Sequence, residues 1–131
     1  QKTDGFQLGE LTIIAARPSI GKTAIAIAIA NAACITERVP TLFVSLEMSD
    51  ESIVRRMVSS VGSVPMQSIK TGDMDQGGMK AMSSASAKIA NSPIHFVSGS
   101  SVSNIASVTA VIRRAVRKWK VQLVLVFFLT V

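Results

Sequence analysis

The sequence is poor in the residue types that build metal clusters, disulfide frameworks and membrane spans. Its 131 residues include one cysteine, Cys34, and one histidine, His95. A single thiol excludes an internal disulfide framework and a cysteine-based metal cluster, and it suits a reducing compartment such as the cytoplasm. His95 has no second ligand near it in sequence and reads as an ordinary strand residue. No apolar run reaches the roughly 18–20 residues that a spanning helix needs, so no membrane association is expected. The opening Gln1-Lys2-Thr3-Asp4 lacks the apolar centre of a signal peptide and lacks an initiator Met. It reads as a boundary inside a longer polypeptide. Repeats at solenoid periods are missing too, as is any low-complexity linker beyond the Ser-rich patches at 83–86 and 98–103.

What is present is aliphatic and basic. The chain is 48% hydrophobic, 17% charged and 5% aromatic. That is too apolar for disorder and suits a sheet covered by helices. Residues 1–131 are long enough for one domain with a real core. A net charge of +6 is compatible with a polyanionic partner, nucleic acid or nucleotide, and equally with a plain basic surface.

The organising stretch is Ala16-Arg17-Pro18-Ser19-Ile20-Gly21-Lys22-Thr23. It sits between an apolar run, Leu11 to Ala15, and an Ala/Ile-rich segment beginning at Ala24. Strand, short turn with Gly-Lys-Thr, then helix is the setting of a phosphate-binding loop. Backbone N–H groups from Ser19 to Thr23 can form an anion nest at a helix N-terminus, where the dipole also favours negative charge. Lys22 can reach the β- and γ-phosphates, and the Thr23 hydroxyl can ligate Mg²⁺. The pattern G-x-x-x-x-G-K-[ST] asks for Gly at position 16, which is Ala here.

Taken in order, 11–16 reads as a buried parallel strand because it is apolar on both faces. Residues 23–35 alternate Ile and Ala but run too long for a strand and favour helix, expected to be largely buried. A second strand is expected over 41–46, ending at Glu47. Ser49 then caps a helix with Asp50 and Glu51 in its first turn, stopping near Gly62. Residues 64–72 read as a loop or short turn. Asp73 or Asp75 caps a helix to about Ala90, weakened by Gly77-Gly78. A third strand is expected over 93–98. Ser101 or Ser103 then caps a helix whose apolar stripe is Ile105, Val108, Ile112, Ala115 (or Val116) and Trp119. Its other faces carry Arg113, Arg114, Arg117, Lys118 and Lys120. Residues 121–131 read as a fourth, strongly apolar strand. Alternating strands and helices predict an α/β fold, a mainly parallel sheet with helices on both faces. Ligands in such sheets bind at the carboxyl ends of the strands, which brings the loop, Glu47 and the end of the fourth strand to one edge.

Ala-Arg-Pro-Ser-Ile-Gly-Lys-Thr (16–23), paired with Phe-Val-Ser-Leu-Glu-Met-Ser (43–49), resembles the ATPase domain of DnaB-type replicative DNA helicases, of the RecA-like superfamily. The lead-in Gly5-Phe6-Gln7-Leu8-Gly9-Glu10-Leu11, Ile69-Lys70-Thr71-Gly72 and Ser92-Pro93-Ile94 extend the likeness along the whole chain. It covers only the first part of that family's domain, so the RecA-like P-loop NTPase fold is expected to be incomplete at its C-terminus. Ala16 fits, since the helicase form of the loop commonly has Ala there. The resemblance implies ATP and Mg²⁺ as cofactors. It implies Ser19, Ile20, Gly21, Lys22, Thr23 and Ala24 as the nucleotide cradle, Thr23 as metal ligand, and Glu47 as the catalytic glutamate that polarises the attacking water. It further implies a homo-hexamer, single-stranded DNA held mostly through regions beyond this chain, and primase and a helicase loader as partners.

One position departs from the family. Its fourth core strand ends in an aspartate that holds Mg²⁺ through water, and that place is taken by Phe127, followed by Phe128, Leu129, Thr130 and Val131. Thr130 stands where the family has a glutamine. A degenerate ATPase, a truncated or frame-shifted product, and an altered terminal segment all account for this. Cys34 reads as packing. The basic run from Arg113 to Lys120 reads first as a solvated helix face, with nucleic acid or a neighbouring subunit as the alternative.

Overall fold

The computed structural model describes residues 21–46, 48–98 and 104–127. The strand expected over 11–16 lies outside them. Three short aliphatic runs form a parallel sheet: β1 (Thr41–Ser45), β2 (Ile94–Ser98) and β3 (Leu123–Phe127), in the order β2-β1-β3. The register pairs Thr41 with Ile94 and Leu123, and Ser45 with Ser98 and Phe127. Every residue of the central β1 is buried, which is why the run reads as continuously apolar rather than alternating.

Between β1 and β2 the chain passes through α2 (Asp50–Gly62), α3 (Met66–Thr71) and α4 (Gln76–Ala90). Between β2 and β3 it passes through α5 (Ile105–Trp119) and steps back across β1. Right-handed crossovers in opposite directions must run over opposite faces of the sheet, and that is the arrangement found. Phe43, Phe96, Leu125 and Phe127 share a core with α2, α4 and the preceding helix α1 (Lys22–Asn31). Leu42, Val44, Val97 and Val124 share the other core with Val108, Val111, Ile112 and Ala115 of α5. Alternate strand residues thus serve opposite layers, as the pleat requires.

The helix starts follow local chemistry. Ser49 Oγ accepts from the Ser52 N–H at 3.2 Å, with Asp50 and Glu51 in the first turn of α2. Asp75 Oδ1 accepts from the Gly78 N–H at 2.7 Å and starts α4. Gly62 ends α2 where it lies close to α4. A Cβ there would stand 3.1 Å from the Ala81 carbonyl oxygen and 3.2 Å from the Ala85 methyl.

Several expectations shift. Residues 66–71 are a short helix rather than a loop, opened by Pro65 and closed by Gly72 at φ 74°. The cap of α5 is Asn104, not Ser101 or Ser103. Asn104 accepts from the Ser107 N–H at 2.9 Å while Ser107 Oγ accepts from the Asn104 N–H at 3.1 Å. The stripe of α5 runs through Ala115, fully buried, and leaves Val116 at 45% exposure. The side chain of Ile105 lies outside what the structure describes. The helix from Lys22 ends in a π-helical turn, Ala32–Thr36, and is not largely buried. Ile27, Ala30 and Cys34 face the core, whereas Ile25 is 43% exposed, because among the described residues only one side of α1 meets the core. β3 is described only to Phe127, so 128–131 of the expected fourth strand lie outside the described residues.

Candidate functional site

α1 starts at a glycine that the geometry requires. Gly21 adopts φ 84°, ψ 21°, the left-handed region, and among the described residues nothing beyond its chain neighbours lies within 4 Å of where a Cβ would be. Substitution there is opposed by the backbone. The first intrahelical bond runs from the Ile25 N–H to the Gly21 carbonyl at 3.0 Å. The N–H groups before it have no partner inside the helix. Among the described residues no side chain caps α1, and its first turn carries no acid, unlike α2. The positive end of the dipole favours negative charge here.

Beside that end is a cavity of about 190 Å³ lined by Thr23, Ala24 and Ile27 of α1 and by Arg56, Ser59 and Ser60 of α2, with Met66 of α3 at its margin. Thr23 and Ala24, two of the expected cradle residues, therefore meet on one wall. Arg56 on the opposite wall is exposed. The ion pair found among the described residues uses its neighbour, Arg55 with Glu51 at 3.8 Å. Arg56 was not singled out from sequence. The signal was there: of two adjacent arginines in one helix, only Arg55 has a carboxylate four residues earlier. Ser19, Ile20, Glu47 and the side chain of Lys22 lie outside what the structure describes.

The carboxyl edge of the sheet is built by Ser45 and Phe127. Ser45 Oγ donates to the Met48 carbonyl at 2.7 Å and accepts from the Met48 N–H at 3.0 Å. This fully buried hydroxyl turns the chain as soon as β1 ends. The Leu46 N–H donates to the Phe127 carbonyl at 2.9 Å, carrying the ladder one step further. Phe127 is 4% exposed and sits in the core shared with Ile27, Ala30 and Cys34 of α1. The end of β3 that faces α1 is therefore apolar. Among the described residues no three His, Cys, Asp or Glu are placed to hold a metal.

The lone histidine and cysteine have packing roles. His95 stacks on Trp119, ring centroids 3.8 Å apart and planes 8° from parallel. Partial burial, and then Lys118, push its pKa below the ordinary value. Cys34 is fully buried, and burial pushes its thiol up.

The family model for the DnaB-like helicase C terminal domain matches residues 1–131. The chain belongs to that family. It is 32% identical over 127 residues to the replicative DNA helicase DnaB of Treponema pallidum (strain Nichols), covering 97% of this chain and 29% of that protein. Over 94 residues it is 40% identical to the replicative DNA helicase DnaC of Bacillus subtilis (strain 168), covering 71% and 20%. Among solved structures, the ATPase domain of G40P superposes with a TM-score of 0.73 at 27% identity, covering 86% of this chain and 40% of that one. A DnaB-like replicative helicase, described with its interactions with primase, gives 0.70 at 27% identity, covering 84% and 26%. The expected RecA-like α/β fold is thus the fold found. The chain spans less than a third of the length of the curated relatives named here. No helix among the described residues is long and apolar enough to cross a membrane.

Proposed function

We propose that residues 1–131 form one partial ATPase domain, the ATP-binding part of a hexameric replicative DNA helicase. The intact protein would couple ATP hydrolysis to translocation on single-stranded DNA and to unwinding, working in the cytoplasm with primase and a loader. The observation that carries this reading is the left-handed Gly21, in a Gly-Lys-Thr loop, before a helix that no described side chain caps and whose first turn lines a cavity with Arg56. In this reading Ser19 to Ala24 cradle the phosphates through their N–H groups, and Lys22 pairs with the terminal phosphates. Thr23 holds Mg²⁺, and Glu47 polarises the attacking water. Arg56 adds a cation from the other wall. Calorimetric titration with ATP and Mg²⁺ tests it. Lys22→Ala removes a charged contact worth about 1.5–3 kcal/mol, so affinity should fall at least tenfold. Unchanged affinity would sink the phosphate-loop reading.

A second reading, a nucleotide-binding module with impaired hydrolysis, is favoured by Phe127. A buried phenyl ring cannot accept a hydrogen bond from metal-bound water, so the residue set lacks the family's second Mg²⁺ support. ATP affinity measured with and without Mg²⁺ should then differ little. Turnover by a Phe127→Asp form extended to full domain length separates the two readings. If that form binds ATP yet never hydrolyses it with single-stranded DNA present, the motor reading fails and the binding module stands.

A further inference from the structure

The charge of this chain is divided very unevenly. Residues 1–75 carry seven Lys and Arg against eight Asp and Glu, whereas residues 76–131 carry seven Lys and Arg and no carboxylate. The whole net charge of +6 therefore comes from the second stretch. Five of its seven cations, Arg113, Arg114, Arg117, Lys118 and Lys120, fall within eight positions at the C-terminal half of α5 and its cap. All five are exposed, and the ion pair among the described residues lies elsewhere, on α2.

Helix-dipole compensation accounts for some positive charge at this end. It does not account for like charges stacked four residues apart, Arg113 over Arg117 and Arg114 over Lys118, which repel one another. A surface that works against the helix in this way is complementary to a polyanion. From Arg113 to Lys120 the helix rises about 10 Å, long enough for its cations to meet more than one phosphate of a single strand. The face between them is not purely ionic. Val116, beside Arg113 and Lys120 at helical spacing, is 45% exposed and offers an apolar rest for an unstacked base, which a closed duplex does not present. Trp119 is not a free stacking platform, because His95 covers its ring at 3.8 Å and Lys118 Nζ lies 5.4 Å from its centroid. Contact would therefore run through phosphates and carry little base preference.

We propose that the C-terminal half of α5 is a docking surface for the phosphate backbone of single-stranded DNA, separate from the nucleotide site. It lies on the sheet face opposite α1 and α2, so the two sites fill independently and the proposal does not rest on the phosphate-loop reading.

The test uses the 131-residue chain without nucleotide and a fluorescein-labelled oligo(dT) of twenty nucleotides, read by anisotropy from 50 to 200 mM NaCl. Binding should weaken steeply with salt, by about 0.7 in logarithmic slope per phosphate neutralised. A variant with Arg113→Ala, Arg114→Ala, Arg117→Ala and Lys118→Ala should lose at least tenfold in affinity and flatten that slope. Its circular dichroism should stay unchanged, since all four side chains are exposed. Lys70→Ala, Lys80→Ala and Lys88→Ala together remove charge elsewhere and should change affinity less than twofold. Equal losses in the two charge-removal variants would reduce the effect to net charge and overturn the proposal. So would the absence of binding by the unaltered chain. Competition by unlabelled duplex as strong as by single strand would overturn the single-strand assignment, and equal competition by polyglutamate would point to an acidic protein instead.

Discussion

The two faces of the sheet are built on different terms. One is covered by α1, α2 and α4, and its core holds Phe43, Ile53, Met57 and Phe127. Among the described residues the other is covered by α5 alone, over Leu42, Val44, Ala115 and Val121. The first face is a thick layer whose helix ends form the cavity beside Gly21. The second is a single amphipathic helix laid on β1 and its neighbours, with its outer half given to charge. A site that must hold atoms in fixed places is best placed on the thicker, better-supported layer. A surface that only needs to present cations can be carried by one helix. The contrast predicts where substitutions will hurt most.

The largest effect should come from the first face. Phe43 is 1% exposed and its ring lies 6.3 Å from that of Phe96. Phe43→Ala should cost about 3–5 kcal/mol, a large share of the stability a domain of this size has. Urea denaturation should show the midpoint collapsing or no folded baseline at all. Cys34, buried in the same core with its thiol pushed up, supplies an independent reporter. It should resist alkylation near pH 8 in the unaltered chain and react quickly in this variant. A small shift in midpoint would mean that the three-helix layer tolerates a cavity that a close-packed core should not.

On the second face the sensitive point is a small residue. Ala115 is fully buried where α5 meets the sheet. Ala115→Leu should destabilise by about 1–3 kcal/mol through overpacking, whereas Val116→Leu, one position round the helix and exposed, should be close to neutral. If the two changes cost the same, α5 is not seated by the stripe described above.

That pair also shows where the sequence was ambiguous. A stripe at helical spacing admits either Ala115 or Val116, since hydrophobicity favours the valine and close approach favours the alanine. Only the helix–sheet distance decides. The Ser49 cap was legible because Ser, Asp and Glu stand together before a periodic run, and the strand cores were legible as continuous aliphatic stretches. The short helix at 66–71 was not, because six residues give fewer than two turns and no period to read. The caps expected for α5 were Ser101 and Ser103, and Asn104 beside them is as competent a residue type. The reciprocal bond from Ser107 selects Asn104, and its Asn-x-x-Ser keeps the spacing of the usual Ser-x-x-Glu signature with different residue types. In the site, the loop motif was plain in the sequence. Arg56 emerged only when α2 was placed across the cavity from Thr23.

The two caps give a smaller, balanced test of the same contrast. Ser49→Ala and Asn104→Ala each remove a side-chain acceptor from helix N–H groups, costing about 1 kcal/mol. Asn104→Ala leaves the backbone bond from position 104 to Ser107 Oγ in place, but Asn104 anchors the only helix of its face among the described residues, so its loss should be the larger. Chemical denaturation of both single variants measures the difference. A larger loss at Ser49 would show that the thicker face depends more on local capping than its packing suggests.

The smallest effect concerns the pH response of the thinner face, where His95 on β2 stacks on Trp119 of α5. Burial first, and the nearby Lys118 second, hold the His95 pKa below its ordinary 6.5. The unfolded chain therefore takes up the proton before the folded one. Linkage then makes stability fall as pH drops through the region of 6.5 and below, with no contribution from this group above it. Melting temperatures between pH 8 and pH 5.5 should decline for the unaltered chain. They should stay flatter for His95→Phe, which keeps a planar ring against Trp119 but cannot titrate. Lys118→Ala, which removes the second of the two causes, should lie between them. A parallel decline in all three would assign the slope to other groups, and would mean that the stack holds α5 to the sheet without sensing protons.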